Sequence, residues 1–353
     1  MDIILLLTDK SRSVHKAISD FKSCVVVHNL NGSFFLTSEV PTGSEFASEI
    51  IPGKYLETFT MPYNAITGRH DLYKQRFVVE SVKADEASGI ERIKANHVSS
   101  YLQNYMVSSF KAFNAYGFMG QMASFIQDNP GYIFETTINF NLHYEPKDHK
   151  PRNARDLLFS RTEPSFTSIY GGEASFNNFG LTMVPRIGED RHFIAKYGSN
   201  IEKIKISKNC HDFFTSIYPF FENNEGYVEL PEKLIYNTNA SYIMEGFRTI
   251  PLDLTADFDA KPTAAALKSK AQEWLTRNGD IDTAEEISLT LSGDNSKVNL
   301  GDDITVYFPP LNLSINRRVI QTEYDVKTDK YSSIVVGRKV PDLPGTLIKL
   351  IKE

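Results

Sequence analysis

The sequence predicts a mainly β protein with an α+β middle region, divided into several domains. Strand-like apolar runs separated by glycine, proline and polar residues fill both ends of the chain. Amphipathic helical patterns are confined to the middle and to one later segment. A length of 353 residues exceeds what one hydrophobic core usually supports. We therefore expect two antiparallel β domains around a mixed middle.

The first predicted domain covers residues 1–96. Two apolar runs, residues 24–28 and 34–37, flank Asn31-Gly32, a dipeptide suited to the positive φ angles of a tight hairpin turn. Further strand-like runs at residues 55–60, 76–82 and 90–95 are typical of an antiparallel barrel or sandwich. The apolar run at residues 3–7 is too short for a signal peptide and predicts a buried first strand.

The predicted middle domain, residues 97–200, starts with two helical patterns and continues with a strand. The apolar positions of the two helices are Val98, Leu102, Tyr105 and Met106 for the first, and Phe118, Met122, Phe125 and Ile126 for the second. Alternating apolar residues then predict one long strand over 132–142 with a buried face. A short helix is expected at 156–159.

Residues 201–260 are predicted to be a β-rich segment that completes the β domains, and residues 261–353 a helix followed by the C-terminal β domain. Pro262 and Gly279 stand at the preferred start and end positions of a helix that carries Trp274. Strand-like runs follow at 286–291, 304–308, 315–326 and 331–336, with a polar turn at 327–330. The four domains are expected to be discontinuous.

Bulk charge and cysteine usage exclude several function classes. A formal net charge of -6 argues against binding nucleic acid by neutralising phosphates, although an acidic surface could line a passage through which DNA slides. Cys24 and Cys210 lack metal-site or disulfide spacing and are interpreted as two buried thiols. No segment is apolar for long enough to span a bilayer.

Two clusters of metal-ligand residue types occur, and neither has the pattern of a metal site. His143, Glu145, Asp148 and His149 surround Pro146, which prevents the helical spacing of an HExxH zinc site, so a solvated loop is the preferred interpretation. Asp253, Asp257 and Asp259 lack the glycine and the closing glutamate of a calcium loop. We expect no bound metal.

Catalytic patterns are equally weak. Adjacent residues such as Cys210 and His211 rarely face each other as nucleophile and base. Gly171-Gly172-Glu173 lacks the surroundings of a phosphate-binding loop and indicates tight backbone packing instead. There is no GxSxG elbow, and 44 acidic residues provide carboxylate pairs by abundance alone. We assign no catalytic, cofactor-binding or metal residue.

Several segments together resemble a known family of phage proteins. They are residues 75–82 leading to 93–102; residues 168–176 with Phe179-Gly180; 197–201; 227–231; 300–306; Arg318-Val319; 323–325; and Val336-Gly337. Their order and spacing are similar to those of the N-terminal structural region of phage tail-associated lysins, the prophage endopeptidase tail family, and of baseplate hub proteins. Tyr170, where a leucine is usual, and an arm at 191–193 depart from the pattern.

The resemblance implies a phage tail hub-like fold with two related antiparallel β-barrel domains in each subunit of a homotrimer. Such a ring would dock on the distal tail ring protein and the tail tube at the tail tip of the virion. The tape-measure protein and phage DNA would pass through it without specific binding, and this chain would insert in no membrane. The peptidoglycan hydrolase of family members lies downstream, so a non-enzymatic chain without a cofactor is expected.

Two other functions remain open, a cell-wall-degrading tail endopeptidase or hydrolase and a host-carbohydrate-binding tail module. A hydrolase predicts paired carboxylates with a perturbed pKa in one cleft. A carbohydrate-binding module predicts aromatic rings exposed on a single subunit. The aromatic residues considered for an interface are Phe176, Phe179, Phe213, Phe214, Tyr218, Phe220 and Phe221, for which burial in a core is the preferred interpretation.

Overall fold

A computed structural model describes residues 5–11, 15–146, 150–160, 164–209, 214–224, 226–237, 248–258, 260–278, 284–292 and 298–337. The described residues divide into two compact units, Met1–Ile204 with Ser288–Val336, and Lys205–Ile287. Most described elements are strands. Within these ranges no helix has the length and apolar character needed to cross a bilayer.

The strands of the first half are β1 (Leu5–Thr8), β2 (His15–Ile18), β3 (Ser23–Asn29), β4 (Phe34–Pro41), β5 (Tyr55–Thr60), β6 (Tyr63–Asn64), β7 (Arg69–His70), β8 (Tyr73–Asp85), β9 (Ile90–His97), β10 (Met106–Val107), β11 (Ile133–Thr136) and β12 (Arg152–Asn153). The later strands are β13 (Glu173–Asn177), β14 (Gly180–Val184), β15 (Asp190–Lys196), β16 (Ile201–Asn209), β17 (Ser216–Asn223), β18 (Gly226–Glu229), β19 (Ile235–Tyr236), β20 (Thr249–Asp253), β21 (Ala284–Leu291), β22 (Asp303–Phe308), β23 (Leu313–Asp325) and β24 (Lys330–Gly337).

The α-helices are α1 (Ala115–Phe125), α2 (Ala154–Phe159), α3 (Phe166–Tyr170) and α4 (Ala264–Asn278). Short 3₁₀ helices cover Ala47–Glu49, Val98–Asn104, Thr255–Asp257 and Pro309–Leu311. The short helices start at side-chain caps: Asn114, Asn153 and Ser165 each accept a hydrogen bond from a backbone N–H in the first turn of α1, α2 and α3.

One thirteen-stranded sheet contains strands from both ends of the chain. Its order is β16-β21-β24-β23-β3-β4-β9-β8-β5-β1-β2, and β22 pairs with both β15 and β23. The long strand β23 makes the connection, because its first half pairs with β22 and its second half pairs antiparallel with β3. The predicted N-terminal and C-terminal β regions therefore share one sheet.

The strand path of this sheet is open at β16, β15 and β2 among the described residues. The prediction of mainly β, largely antiparallel structure in several sheets is confirmed, whereas no closed barrel occurs in the described part of the chain. The parallel pairs are β11 with β14, β15 with β22, and β17 with β20. The domain limits at residues 96, 200 and 260 stay predictions.

Local sequence patterns locate most of the strands correctly. The hairpin around Asn31 is confirmed, with β3 and β4 paired from Ser23 opposite Glu39 to His28 opposite Phe34. Asn31 adopts a left-handed φ of 53°, which asparagine tolerates better than most residues. The predicted strands at 55–60, 76–82, 90–95, 286–291, 304–308, 315–326 and 331–336 correspond to β5, β8, β9, β21, β22, β23 and β24.

Two predictions in the middle region are wrong in part. The first helical pattern forms a 3₁₀ helix that ends at Asn104, and Met106 instead pairs with Asn153 in a two-stranded sheet. The long strand predicted over 132–142 is limited to β11, residues Ile133–Thr136, which pairs parallel with β14. The second helix is confirmed as α1, and the short helix at 156–159 is contained in α2.

The second compact unit has its own core. A four-stranded sheet of β17, β18, β19 and β20 packs with α4, the helix predicted from Pro262. Its buried side chains are Phe214, Ile217, Phe221, Leu230, Ile250, Leu252, Leu254, Leu267 and Ala271, with Trp274 packed against them. Gly279, the predicted helix end, lies outside the described residues.

Three stacked aromatic rings, from neighbouring strands β3, β4 and β9, are buried on one face of the large sheet. Phe34 lies between His28, at a centroid distance of 4.0 Å, and His97, at 4.2 Å. Burial lowers the pKa of His28 to about 3, and the neighbouring His70 contributes to the decrease. Burial also lowers the pKa of His97 well below its ordinary value. Both imidazoles are therefore neutral parts of the core.

The buried His28 ring predicts acid sensitivity of the fold. Its pKa is lower in the folded chain than in the unfolded chain, so its stabilising contribution is complete above about pH 6.5 and is lost as the pH falls from there towards 3. The free energy of unfolding, measured in urea, should decrease between pH 7.5 and pH 4.5 in both proteins. The decrease should be about 2–3 kcal/mol smaller for His28→Phe than for the wild type. Equal losses in both proteins would contradict this assignment.

Candidate functional site

An ion pair between a buried carboxylate and a partly buried guanidinium connects segments that are far apart in the sequence. Glu173, at the start of β13, receives two hydrogen bonds from the guanidinium of Arg318 in β23, at 2.6 and 2.7 Å. The same carboxylate accepts the backbone N–H of Ile187 at 2.7 Å, and Arg318 also donates to the carbonyls of Ile187 and Gly301. We call Glu173, Ile187, Gly301 and Arg318, together with Gly188 and Asp302, the polar junction.

Two glycines allow the backbones of the polar junction to touch. Gly188 and Gly301 have φ angles of +76° and +86°. A Cβ atom on Gly188 would lie 2.2 Å from the carbonyl carbon of Gly301, and a Cβ on Gly301 would lie 2.4 Å from the oxygen of Ile187. Only glycine fits either position without moving the backbone.

Asp302 completes the polar junction. Its side chain is fully buried and accepts the backbone N–H groups of Glu189 and Asn299, each at 2.9 Å. The guanidinium Nε of Arg191 lies 3.4 Å from the same carboxylate. The carboxylate is thereby held in place by backbone and cationic donors, as a structural anchor requires.

A second buried polar network lies beneath the 3₁₀ helix that follows β9. Nδ1 of His97 accepts the N–H of Ser99, so the ring proton is on Nε2 and is donated to Oε1 of Gln75 at 3.0 Å. Gln75 also accepts the N–H of Asn178 and donates to Asn177. Residues of the family-like segments 75–82 and 93–102 thus meet inside the protein, next to the Asn177-Asn178 turn that follows the segment 168–176.

Next to Gln75, Arg76 forms another interior ion pair. Its Nε lies 3.2 Å from Oε1 of Glu57 on the paired strand β5, and both side chains are almost fully buried. Arg76 also donates to the carbonyls of Asp9 and Lys10 and stacks on Tyr55. This pair ties the N-terminal strand β1 region to the sheet.

The residues considered for metal or nucleophilic chemistry have other surroundings. Glu145 pairs with Lys111, and the His143 ring contacts Phe113 at 5.2 Å, while Asp148 and His149 lie outside the described residues. Asp253 accepts the N–H of Thr255, the first residue of the following 3₁₀ helix. In the described part of the chain, no three His, Cys, Asp or Glu side chains group as metal ligands would.

Cys24 is part of the hydrophobic core. Cys24 is fully buried, and burial raises the pKa of its thiol, so the predicted role as a core residue is confirmed. Cys210, His211, Asp259 and Phe213 lie outside the described residues. Tight backbone packing is confirmed at Gly172, where a Cβ would lie 2.8 Å from the carbonyl oxygen of Val184, and not at Gly171, where no heavy atom lies within 4 Å of a Cβ.

The described aromatic residues among those considered for an interface from the sequence are buried or half-buried, and other apolar side chains are exposed. Phe176, Phe214 and Phe221 are buried, as the core interpretation predicted, and Phe179, Tyr218 and Phe220 are half-buried. The exposed apolar side chains instead include Phe113, Tyr116, Phe140 and Leu142, which we call the apolar ledge. None of these four was considered as an interface residue from the sequence. For Phe140 and Leu142 the signal was the apolar alternation that runs past the end of β11.

The polar junction gives a stability prediction for Arg318. Replacement by methionine leaves the buried Glu173 carboxylate without its cationic partner, and we expect a loss of about 3–5 kcal/mol in the free energy of unfolding measured in urea. Glu80→Gln is the matched control, because the Glu80–Lys94 pair is exposed and should contribute at most about 1 kcal/mol. Similar losses for both variants would show that the polar junction is not a buried ion pair.

The glycine contact gives a second prediction. Gly188→Ala places a methyl group inside the backbone of Gly301 and should destabilise the protein by roughly 2–5 kcal/mol in the same measurement. Gly120→Ala is the control: it lies within α1 with no heavy atom within 4 Å of the new Cβ, so it should be neutral or stabilise by up to about 1 kcal/mol. A tolerated Gly188→Ala would disprove the close approach.

The fold is that of several tail proteins of known structure. The prophage tail protein gp18 from Listeria monocytogenes EGD-e has a TM-score of 0.60 at 18% identity and covers 100% of this chain and 99% of its own. The 43 kDa tail protein of prophage MuSo2 from Shewanella oneidensis has a TM-score of 0.61 at 10% identity, with 97% and 98% covered. The tail protein from Neisseria meningitidis MC58 has a TM-score of 0.59 at 10% identity, with 97% and 99% covered.

No curated protein matches this chain. The three solved structures are described as tail proteins, and at these identities they establish the fold. Residues 189–344 match the family model described as prophage endopeptidase tail. Arg318 lies inside that match, and its partner Glu173 lies outside it. The resemblance to this phage tail protein family is therefore confirmed, with the family match over residues 189–344 and the fold of prophage tail proteins across the chain.

Proposed function

We propose that this protein is a structural hub of a bacteriophage tail tip. Three copies would form a ring that docks on the distal tail ring protein and the tail tube and surrounds the exit channel for the tape-measure protein and DNA. The observation that carries the proposal is the tail-protein fold over the whole chain, together with the family match at residues 189–344.

The internal construction of the chain supports a mechanical role. Its buried carboxylates Glu57, Glu173 and Asp302 all lie against arginine side chains, so these ionic groups stabilise the fold. A protein that transmits force between a tube and a tip needs segments that cannot separate independently. The polar junction and the sheet that contains strands from both chain ends provide such coupling.

Two related β-barrels in each subunit, with the predicted domain limits, remain part of the proposal. The large sheet of the single chain ends in open edges at β2, β15 and β16. Closure into barrel-like walls would therefore depend on neighbouring subunits or on assembly. The acidic net charge of -6 suits a channel through which DNA passes without being held.

A host-carbohydrate-binding tail module is the second candidate, because the apolar ledge exposes aromatic rings on one subunit. A sugar platform needs polar side chains that converge on the hydroxyl groups beside the ring. A ring-forming surface needs apolar contact over a larger area. The two functions are separated by whether the ledge is covered in the assembled tail.

The hub proposal predicts a defined assembly. Electron microscopy of the purified protein mixed with the distal tail ring protein of the same phage should show threefold rings with an axial hole, stacked on that protein. The ring protein provides the template symmetry, so the mixture is the deciding sample even if the protein alone is monomeric. Monomers that never join the ring protein would contradict the proposal.

The same preparation tests the enzymatic alternative. Purified bacterial cell walls incubated with the full chain should release no more soluble peptidoglycan than walls incubated with buffer. Release that scales with protein concentration would favour a tail hydrolase. The Arg318→Met variant is expected to unfold more easily than the wild type, and it serves as the control. If any digestion is lost under conditions in which this variant is unfolded, the activity belongs to this protein and not to a contaminant.

A further inference from the structure

The apolar alternation that begins in β11 continues beyond the point where the chain can bury it. Phe134, Thr136 and Ile138 are buried on alternate positions. Phe140 and Leu142 follow at the same spacing, yet they are 55% and 51% exposed. A pattern that predicts burial but faces solvent in a single subunit indicates that another surface completes the core.

The exposed residues are held in fixed positions. The carbonyl of Phe140 accepts the N–H of Ala115 at 3.1 Å, and Ala112 and Tyr144 exchange two backbone hydrogen bonds. The carbonyl of Leu142 accepts the hydroxyl of Tyr170 at 2.9 Å. These contacts hold the backbone of Phe140 against the start of α1 and that of Leu142 against the end of α3, so the ledge is preorganised for binding.

A groove extends the ledge at its α1 side. It has a volume of about 610 Å³ and is lined by Ile66, Tyr116, Met119, Phe134 and Glu135, among others. Ile66, at the tip of the β6–β7 hairpin, is 92% exposed, and Phe113 is 71% exposed. Tyr116 belongs to both the groove and the ledge, so the two form one continuous surface.

The size of this surface fits a protein partner. Ile66, Phe113, Tyr116, Phe140 and Leu142 together expose on the order of 600 Å², since a large side chain buries about 150–250 Å² when fully covered. This area is most of the roughly 800 Å² that each partner contributes to a standard interface. It also reaches the upper limit for apolar patches on monomeric proteins, about 300–600 Å².

The composition favours a permanent partner of the same kind. The four ledge residues are uncharged, Lys111 and Glu145 at the margin pair with each other, and Glu135 is the one charged side chain among the groove-lining residues. Aromatic enrichment with few charges is the signature of homo-oligomer interfaces, whereas transient partners meet on more polar surfaces. A closed ring joins two different surfaces of one chain, so in such a ring the ledge would contact another part of a second copy.

We propose that the apolar ledge and its groove are the surface through which one copy of this chain contacts the next. This inference rests on the proposed ring and adds the residues that form it. Covering Phe113 and Phe140 would extend the core of one subunit into its neighbour. The partner is a second copy of the chain; a different tail protein or a host carbohydrate is an outcome that the experiment separates.

Photocrosslinking in assembled tails tests the contact directly. The full chain carries p-benzoylphenylalanine in place of Phe140, and in a control sample in place of Ile51, which is equally exposed but outside the ledge. Irradiation should give a product of twice the chain mass from position 140, with both linked peptides from this chain. A link only to another tail protein or to a glycan, or no link at position 140, would overturn the inference.

Self-association in solution gives a second measurement. Phe113→Ser with Phe140→Ser should raise the dissociation constant by at least about 100-fold, since each buried interface aromatic contributes about tenfold or more. The melting temperature of this variant should stay close to that of the wild type. The control variant, Ile51→Ser with Leu311→Ser, should have the melting temperature and the dissociation constant of the wild type. Unchanged association of the ledge variant, or a wild type that neither associates nor crosslinks to itself, would refute the contact.

Failure of this inference is distinguishable from failure of the hub proposal. If native mass spectrometry finds three copies of the chain in each tail tip but position 140 does not link two copies, the ring stands and the assigned surface is wrong. If the chain is missing from the tails but still self-associates through the ledge, the surface stands and the hub proposal is wrong.

Discussion

The bidentate contact between Glu173 and Arg318 is the constraint on which the rest of the structure depends. A carboxylate and a guanidinium removed from water are tolerated only if each meets the other and the remaining donors and acceptors are satisfied. Here the carbonyls of Ile187 and Gly301 and the N–H of Ile187 complete the set. Separation of β13 from β23 would leave the buried Glu173 carboxylate and the partly buried Arg318 guanidinium without each other, so the middle and the C-terminal part of the chain are expected to fold together.

Local patterns were sufficient to predict elements whose stability depends on neighbouring residues. The β3–β4 hairpin follows from its turn sequence and α4 from its helical periodicity and flanking proline. The pairing of β3 with β23 could not be predicted, because the paired residues are almost 300 positions apart in the sequence. The hydrophobic periodicity of a strand does not indicate which distant strand it pairs with. Glycines 171 and 172 indicated close packing, yet nothing in the sequence identified Arg318 as the partner of Glu173.

The two incorrect predictions in the middle region have a common physical cause, which is competition from distant backbone groups. Met106 has a helical spacing with Leu102, but its carbonyl accepts the N–H of Gln127 and its strand pairs with Asn153. After Thr136 the chain leaves the sheet, since the Thr136 hydroxyl donates to Met183 and accepts the N–H of Ile138. Tertiary hydrogen bonds therefore override the local preference in both places.

The same reasoning explains why the sequence did not identify the residues of the proposed interface. A permanent interface resembles a domain core divided between two chains, so its sequence pattern is that of a core. Alternation of apolar residues does not show whether a side chain is buried by its own chain or by a partner. Phe176 and Phe140 both occupy core-like positions in the sequence, and only the structure shows that Phe176 is buried and Phe140 is exposed. Exposed positions that continue a buried pattern are consequently more informative about the proposed interface than composition is. They show where the chain's own core ends and which face a second copy would complete.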